Sequence, residues 1–120
     1  MAKKILFVDD SKSMRQVVGI ALKKAGYDVE TADDGQEGVT KLDQRYHAII
    51  SDVNMPIMNG IEFIKEIKQN ATNKFTPIIM LTTESAPELK KQGQEAGAKV
   101  WMVKPFKPAQ LLMVLEKLLG

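Results

Sequence analysis

Apolar residues along this chain keep two alternating rhythms. Short continuous runs (Ile5 to Val8, Ala48 to Ile50, Pro77 to Leu81, Val100 to Val103) are separated by longer stretches in which apolar positions recur three or four apart. A weaker, more polar run lies between Tyr27 and Ala32, marked by Val29 and Thr31. Runs this short and unbroken suit parallel strands buried on both faces. The spaced positions suit amphipathic helices. Met14, Val17, Val18, Ala21, Leu22 and Ala25 make one stripe. Ile61, Ile64 and Ile67 make another, and Leu111, Leu112, Leu115, Leu118 and Leu119 the last. Residues 36–44 carry only Val39 and Leu42, a thinner stripe that predicts a second helix there. Residues 86–96 offer Ala86, Leu89, Gly93 and Ala96 as the inward face of a fourth helix. Small residues bury little apolar area, so this helix is expected to be the most weakly anchored and free to shift.

Turn and cap residues agree with this division. Gly26, Gly35 and Gly97 are expected just past or between elements, where left-handed or tight backbone is needed. Ser11 or Ser13 suits the cap of the first helix, and Pro108 the first turn of the last. Strand and helix alternate five times, which predicts an α/β fold: a doubly wound, five-stranded parallel sheet with helices on both faces. The 120 residues are read as one domain, 1–120.

Composition narrows the function. There are no cysteines, which excludes disulfides and thiolate metal sites. Net charge is +2 with acids and bases intermixed, poor footing for nucleic-acid binding. Neither a secretory apolar region nor a membrane-spanning run is present, so the expectation is a soluble, cytoplasmic chain with no membrane partner. His47 is expected at the surface near a strand start, and the methionines as core filler.

In open parallel sheets ligands sit beyond the carboxyl ends of the strands. The first strand delivers Asp9 and Asp10 there, the third Asp52, the fourth Thr82 and Thr83, the fifth Lys104 followed by Pro105. Carboxylates about 4 Å apart repel by roughly 4 kcal/mol per pair at an effective dielectric near 20. Lys104 supplies one compensating charge and a divalent cation would supply two more. All available ligands are oxygens, which points to a hard ion, Mg2+. A carboxylate beside a hydroxyl, a lysine and a metal suits phosphoryl transfer onto the carboxylate itself. Asp52, alone on the central strand, is the expected nucleophile, Asp9 and Asp10 the metal holders, and Thr82 a hydrogen-bond donor to a phosphoryl oxygen.

Val8-Asp9-Asp10-Ser11, Asp52-Val53-Asn54-Met55-Pro56-Ile57-Met58-Asn59-Gly60, Leu81-Thr82-Thr83-Glu84 and Val103-Lys104-Pro105-Phe106 together resemble the signature blocks of bacterial two-component response-regulator receiver domains. The order and spacing match throughout, and the likeness is greatest to the single-domain chemotaxis members of CheY type. The resemblance implies a flavodoxin-like sheet of order 2-1-3-4-5 with five helices. It implies a Mg2+ site made of Asp9, Asp10, Asp52 and the backbone carbonyl of Asn54, one acid binding through water. It also implies Asp52 as the phosphorylated residue, Thr82 moving toward the phosphoryl group, Lys104 pairing with it, and a cis bond before Pro105. Asn54 and Glu84 fall at positions that tune hydrolysis, and their pairing implies a phosphoryl lifetime of seconds to minutes. The usual switch aromatic is Tyr or Phe, whereas this chain has Trp101, a larger ring that puts the usual rotamer switch in doubt.

The implied partners are a histidine kinase as phosphodonor and a downstream protein target. The target would bind the face made by the fourth helix, the fifth strand and the last helix. The chain itself is expected to be a monomer that catalyses its own phosphotransfer and dephosphorylation and is not otherwise an enzyme. A phosphorelay intermediate, or another receiver outside chemotaxis, is the alternative use of the same site. A Mg2+-dependent Asp-nucleophile phosphatase fits less well, because such sites usually carry a second acid two residues on, where this chain has Asn54. A flavin carrier would need a phosphate cradle where Asp9 and Asp10 stand, and a degenerate receiver would lack one of the acids or the lysine.

Overall fold

A computed structural model describes residues 2–82 and 87–120. Five strands alternate with five helices: β1 (Lys4–Val8), α1 (Lys12–Lys24), β2 (Asp28–Ala32), α2 (Gly35–Thr40), β3 (Ala48–Asp52), α3 (Gly60–Gln69), β4 (Ile78–Thr82), α4 (Pro87–Ala96), β5 (Val100–Val103) and α5 (Pro108–Leu119). The strands form one parallel sheet in the order β2-β1-β3-β4-β5, as the resemblance implied.

Side chains alternate across a strand, so each strand feeds two cores. Leu6, Val8, Ile49, Ile78 and Met80 face α2 and α3, meeting Leu42, Phe63, Ile64 and Ile67. Ile5, Phe7, Ile50, Ile79 and Leu81 face α1 and α5, meeting Val18, Leu22, Leu111 and Leu115. Burial on both faces explains why β1, β3 and β4 read as unbroken apolar runs. β2 and β5, at the sheet edges, are only partly buried along most of their length, and β2 alternates in the sequence accordingly.

Local signals placed most boundaries. Ser11 caps α1, its hydroxyl accepting from the Met14 N–H at 3.2 Å. Asn59 and Glu62 form a reciprocal capping box on α3, and Pro108 opens α5. Gly26 and Gly97 adopt φ of +97° and +122°, the left-handed backbone expected after a helix. Two expectations need correcting. Gly35 is not a turn residue but the first residue of α2, where a Cβ would come within 2.9 Å of the Met58 carbonyl oxygen. The second helix ends at Thr40, not near residue 44, because Val39 and Leu42 alone give it too little apolar face to continue. Of the expected inward face of the fourth helix, Ala86 lies outside the described residues. Gly93 is buried, and Leu89 and Ala96 are half-buried. His47 is exposed, but its Nδ1 accepts from the Lys4 N–H at 2.8 Å, tying the loop before β3 to β1.

At the end of the sheet remote from Asp52, Asn73 holds the 42–46 turn. Its side-chain amide donates to the carbonyls of Leu42 (2.9 Å) and Gln44 (2.8 Å), while its oxygen accepts from the Tyr46 N–H (3.0 Å) and the Thr76 hydroxyl (3.1 Å). It is fully buried. Asn73→Ala leaves those backbone groups without partners, at a cost of about 1–3 kcal/mol for an orphaned buried group. Urea unfolding should show a loss of about 3 kcal/mol with the strand-end chemistry intact. A loss below about 0.5 kcal/mol would mean that water replaces the amide.

Candidate functional site

The chain leaves β1 for β2 on one side and returns to β3 on the other, so a crevice opens beyond the carboxyl ends of β1 and β3. Asp9 follows β1 directly and Asp52 ends β3. The parallel register sets Val8 beside Ser51 and Asp52 beside Leu81, and β4 ends one residue later at Thr82. Thr82 pairs with Val103, which places Lys104 at the same rim.

Lys104 spans this rim. Its Nζ donates to Asp9 Oδ2 at 2.7 Å and to Asp52 Oδ2 at 3.2 Å. Asp9 is fully buried, with Oδ1 accepting from the Ser11 N–H at 2.9 Å. Asp52 is nearly buried and accepts a longer bond, 3.3 Å, from the Asn54 N–H. Asp10 is exposed, yet it, Asp9 and Asp52 each present an oxygen within 4.8 Å of the others. Three carboxylates face one ammonium, and at this spacing each acid pair repels by about 3 kcal/mol at an effective dielectric near 20. Two oxygens that bind one magnesium directly lie at most about 4.2 Å apart, twice the metal–oxygen distance. The cluster therefore fits one small hard cation held by direct and water-bridged links, and its donors are all oxygen.

Burial is the largest influence on Asp52 and pushes its carboxyl above the usual range. The charge of Asp9 adds to this, and the attraction of Lys104 and the Asn54 N–H offset it only in part. Burial pulls the Lys104 ammonium down, but its bonds to Asp9 and Asp52 and their charges together outweigh this and leave it raised. The two shifts have opposite consequences for stability. A raised Lys contributes stability at all pH below its unfolded value. A raised Asp withdraws stability once pH exceeds its own.

The backbone around Asp52 is set by Gly60. A Cβ there would lie 2.4 Å from the Asp52 carbonyl oxygen, 2.5 Å from Met80 Cε and 2.9 Å from Val53 Cα. Only glycine lets α3 start this close to β3, and its N–H donates to the Val53 carbonyl at 2.9 Å. Between them Ile57 takes φ of +70°, a strained conformation for a β-branched residue. Arg15, reaching back from α1, donates from Nη1 to the Asp9 carbonyl at 2.6 Å. Sequence reading gave neither Arg15 nor Gly60 a role. Arg15 lies outside the apolar stripe of its helix, and Gly60 entered only as the last residue of a signature block.

The structure thus brings together Asp9, Asp10, Asp52, Thr82 and Lys104 of the expected set. Asn54 is exposed next to them, and the Lys104–Pro105 bond is cis. Trp101 lies apart, half-buried on β5. Thr83 and Glu84 fall outside the described residues.

A doubly wound parallel sheet with an acidic, oxygen-only pocket and a half-buried lysine bridging two of its acids defines a receiver architecture, and comparison with known proteins agrees. The chain belongs to the response regulator receiver domain family, which matches residues 5–116. It is 40% identical to the chemotaxis protein CheY1 of Helicobacter pylori, over 98% of this chain and 97% of that protein. The structure of the chemotaxis response regulator CheY4 of Vibrio cholerae superposes with a TM-score of 0.94 at 52% identity, covering 99% of this chain and all of that one. The receiver domain of the sensor histidine kinase PA1611 of Pseudomonas aeruginosa, which holds a magnesium ion in its active-site cleft, matches with a TM-score of 0.91 at 30% identity. That match covers 100% of this chain and 99% of that one. No helix among the described residues is long and apolar enough to cross a membrane.

The sign of the Asp52 shift gives a direct test. Without divalent cation, Asp52→Asn should be more stable than the parent chain at pH 7. The gain should fade as pH drops through the raised Asp52 range and vanish near pH 3, below the unfolded carboxylate value of about 3.9. Urea midpoints in chelator across that range measure it. A less stable Asp52→Asn protein at pH 7 would show that the pull of Lys104 exceeds the cost of burial.

Proposed function

We propose that this receiver accepts a phosphoryl group on Asp52, from a histidine kinase, and passes the signal to a protein target. The observation that carries the reading is Lys104 Nζ between Asp9 and Asp52 at the mouth of an acidic cluster. Asp52 is made more basic by burial and so is a stronger nucleophile, while Lys104 stands where an incoming phosphoryl oxygen would need positive charge. A bond forms between an Asp52 carboxylate oxygen and phosphorus as the phosphorus–nitrogen bond to the donor imidazole breaks. The released imidazole keeps the electron pair and takes up a proton. Asp9, Asp10, Asp52 and the Asn54 carbonyl would hold magnesium, which neutralises charge on the transferring group when bound. Thr82, buried at the end of β4, is the hydroxyl assigned to a phosphoryl oxygen after transfer.

Phosphorylation replaces the single carboxylate charge of Asp52 with an acyl phosphate of roughly 1.5–2 negative charges, a net gain of at most about one, and brings three acceptor oxygens to the crevice. Thr82 and Lys104 gain contacts in that state which they lack otherwise, and such differential contacts shift a two-state population. We assign the output to the face of α4, β5 and α5, the role to chemotaxis signalling by similarity to CheY1 and CheY4, and the compartment to the cytoplasm. We take the working form to be a monomer that catalyses only its own phosphorylation and dephosphorylation.

Acetyl phosphate with magnesium should add one phosphoryl mass to the protein, mapped to Asp52. Asp52→Asn or chelation of the metal should abolish it, and Lys104→Ala should slow it by about 10²-fold, the usual loss of one electrostatic contact to a charged transition state. A label on any other residue, or labelling indifferent to magnesium, overturns the proposal.

A further inference from the structure

α4 buries almost nothing of its own. Of its described residues Gly93 alone is buried, Leu89 and Ala96 are half-buried, and the rest are exposed. A helix this polar needs some other group to fill the space between it and the sheet. That group is Trp101. Its indole packs with Leu89, Ala96 and Ala98 against the core that contains Met80 and Ile64. A Cβ on residue 93 would lie 2.4 Å from Trp101 Cζ3 and 3.1 Å from Cε3, with Ile61 Cδ1 at 3.6 Å. Carbon pairs rest at about 3.5–4.0 Å, so the ring occupies the volume a side chain at 93 would take. The obstacle is a rigid bicycle with two torsions, not the loose end of a flexible chain.

We propose that Gly93 is a positioning residue: its bare backbone is the seat of the Trp101 indole, and this contact sets α4 on the sheet. Trp101 pairs in register with Met80 on β4, two residues before Thr82, and precedes Lys104 by three residues. The indole therefore joins α4 to the two strands that deliver Thr82 and Lys104. The second half of the inference rests on the receiver reading, in which residue 101 is the family's switch aromatic: a change at Asp52 reaches α4 through it here only because Gly93 leaves room for that aromatic to be a seated indole. The larger aromatic at 101 and the absent side chain at 93 are then one feature.

A double-mutant cycle separates seat from helix propensity. Alanine is the better helix former, so where space exists Gly93→Ala should raise the urea midpoint. With Trp101 present it should lower the midpoint. In the Trp101→Ala background it should raise it, and Trp101→Leu provides the same comparison if the alanine variant folds poorly. Trp101 is the only tryptophan, so its emission reports on the seat alone. Gly93→Ala should red-shift it and at least double its quenching by acrylamide. A raised midpoint in the parent background, with emission unchanged, overturns the seat. For the second half, beryllium fluoride with magnesium should shift the emission of the parent, and Gly93→Ala should lose that shift while still being labelled at Asp52 by acetyl phosphate. A shift of the same size in both proteins overturns the coupling. If no variant, nor the parent, is labelled while the midpoints still reverse sign, the receiver reading fails and the seat stands.

Discussion

The ammonium of Lys104, shared by a fully buried carboxylate at 2.7 Å and a nearly buried one at 3.2 Å, is the interaction on which this crevice depends. Burying Asp9 beside Asp52 without it would set two anions together in a medium that screens them poorly. One lysine does not balance three acids, and that imbalance gives the site its appetite for further positive charge. The same field that holds the strand ends together thus suits them to a hard cation and, under the proposed function, to an anionic phosphoryl group with it. Stability and the proposed function pull in different directions at Asp52, whose burial costs folding energy and, in the proposed phosphotransfer, would raise its nucleophilicity.

Holding those charges in place is a matter of backbone. All five parallel strands end at one rim, and on four of them the residue just inside or just past the end carries the site's polar groups. Gly60 lets α3 begin against the Asp52 carbonyl, and Ile57 accepts a left-handed conformation in the loop between them. Ser11 serves twice, its hydroxyl capping α1 and its N–H holding Asp9 Oδ1. Arg15 returns from the first turns of the same helix to the Asp9 carbonyl. The acid is thereby oriented from both sides before any ligand arrives, the condition under which electrostatic stabilisation needs no reorganisation.

The two faces of the sheet are not equally secured. α1 and α5 meet one face through large aliphatic side chains, and α3 meets the other through Phe63, Ile64 and Ile67. α4 instead leans on one indole supplied by the sheet. An element with little apolar surface of its own is drawn from the low-stability end of a fold, where conformational change is least costly. Its neighbour β5 is an edge strand that ends one residue before Lys104, so this sparsely buried helix and the central lysine belong to adjacent parts of the chain.

Read alone, the chain disclosed its strand and helix alternation, because burial on both faces leaves an unbroken apolar run at β1, β3 and β4, and because Ser11 and Pro108 mark helix starts locally. It disclosed the acids, the lysine and their place at strand ends, since a parallel sheet puts every strand terminus of one polarity on the same rim. Their full order and individual roles came by resemblance to a family, not from spacing. Other features rest on contacts that only the fold creates. Gly35 is set against Met58, Asn73 stitches the 42–46 turn, and Arg15 turns toward Asp9. The fit of Trp101 to Gly93 is of the same kind. A glycine in a polar helix and a tryptophan in an edge strand carry no mutual signal until the fold lays one over the other, because packing is decided by volumes meeting in space and not by intervals along the chain.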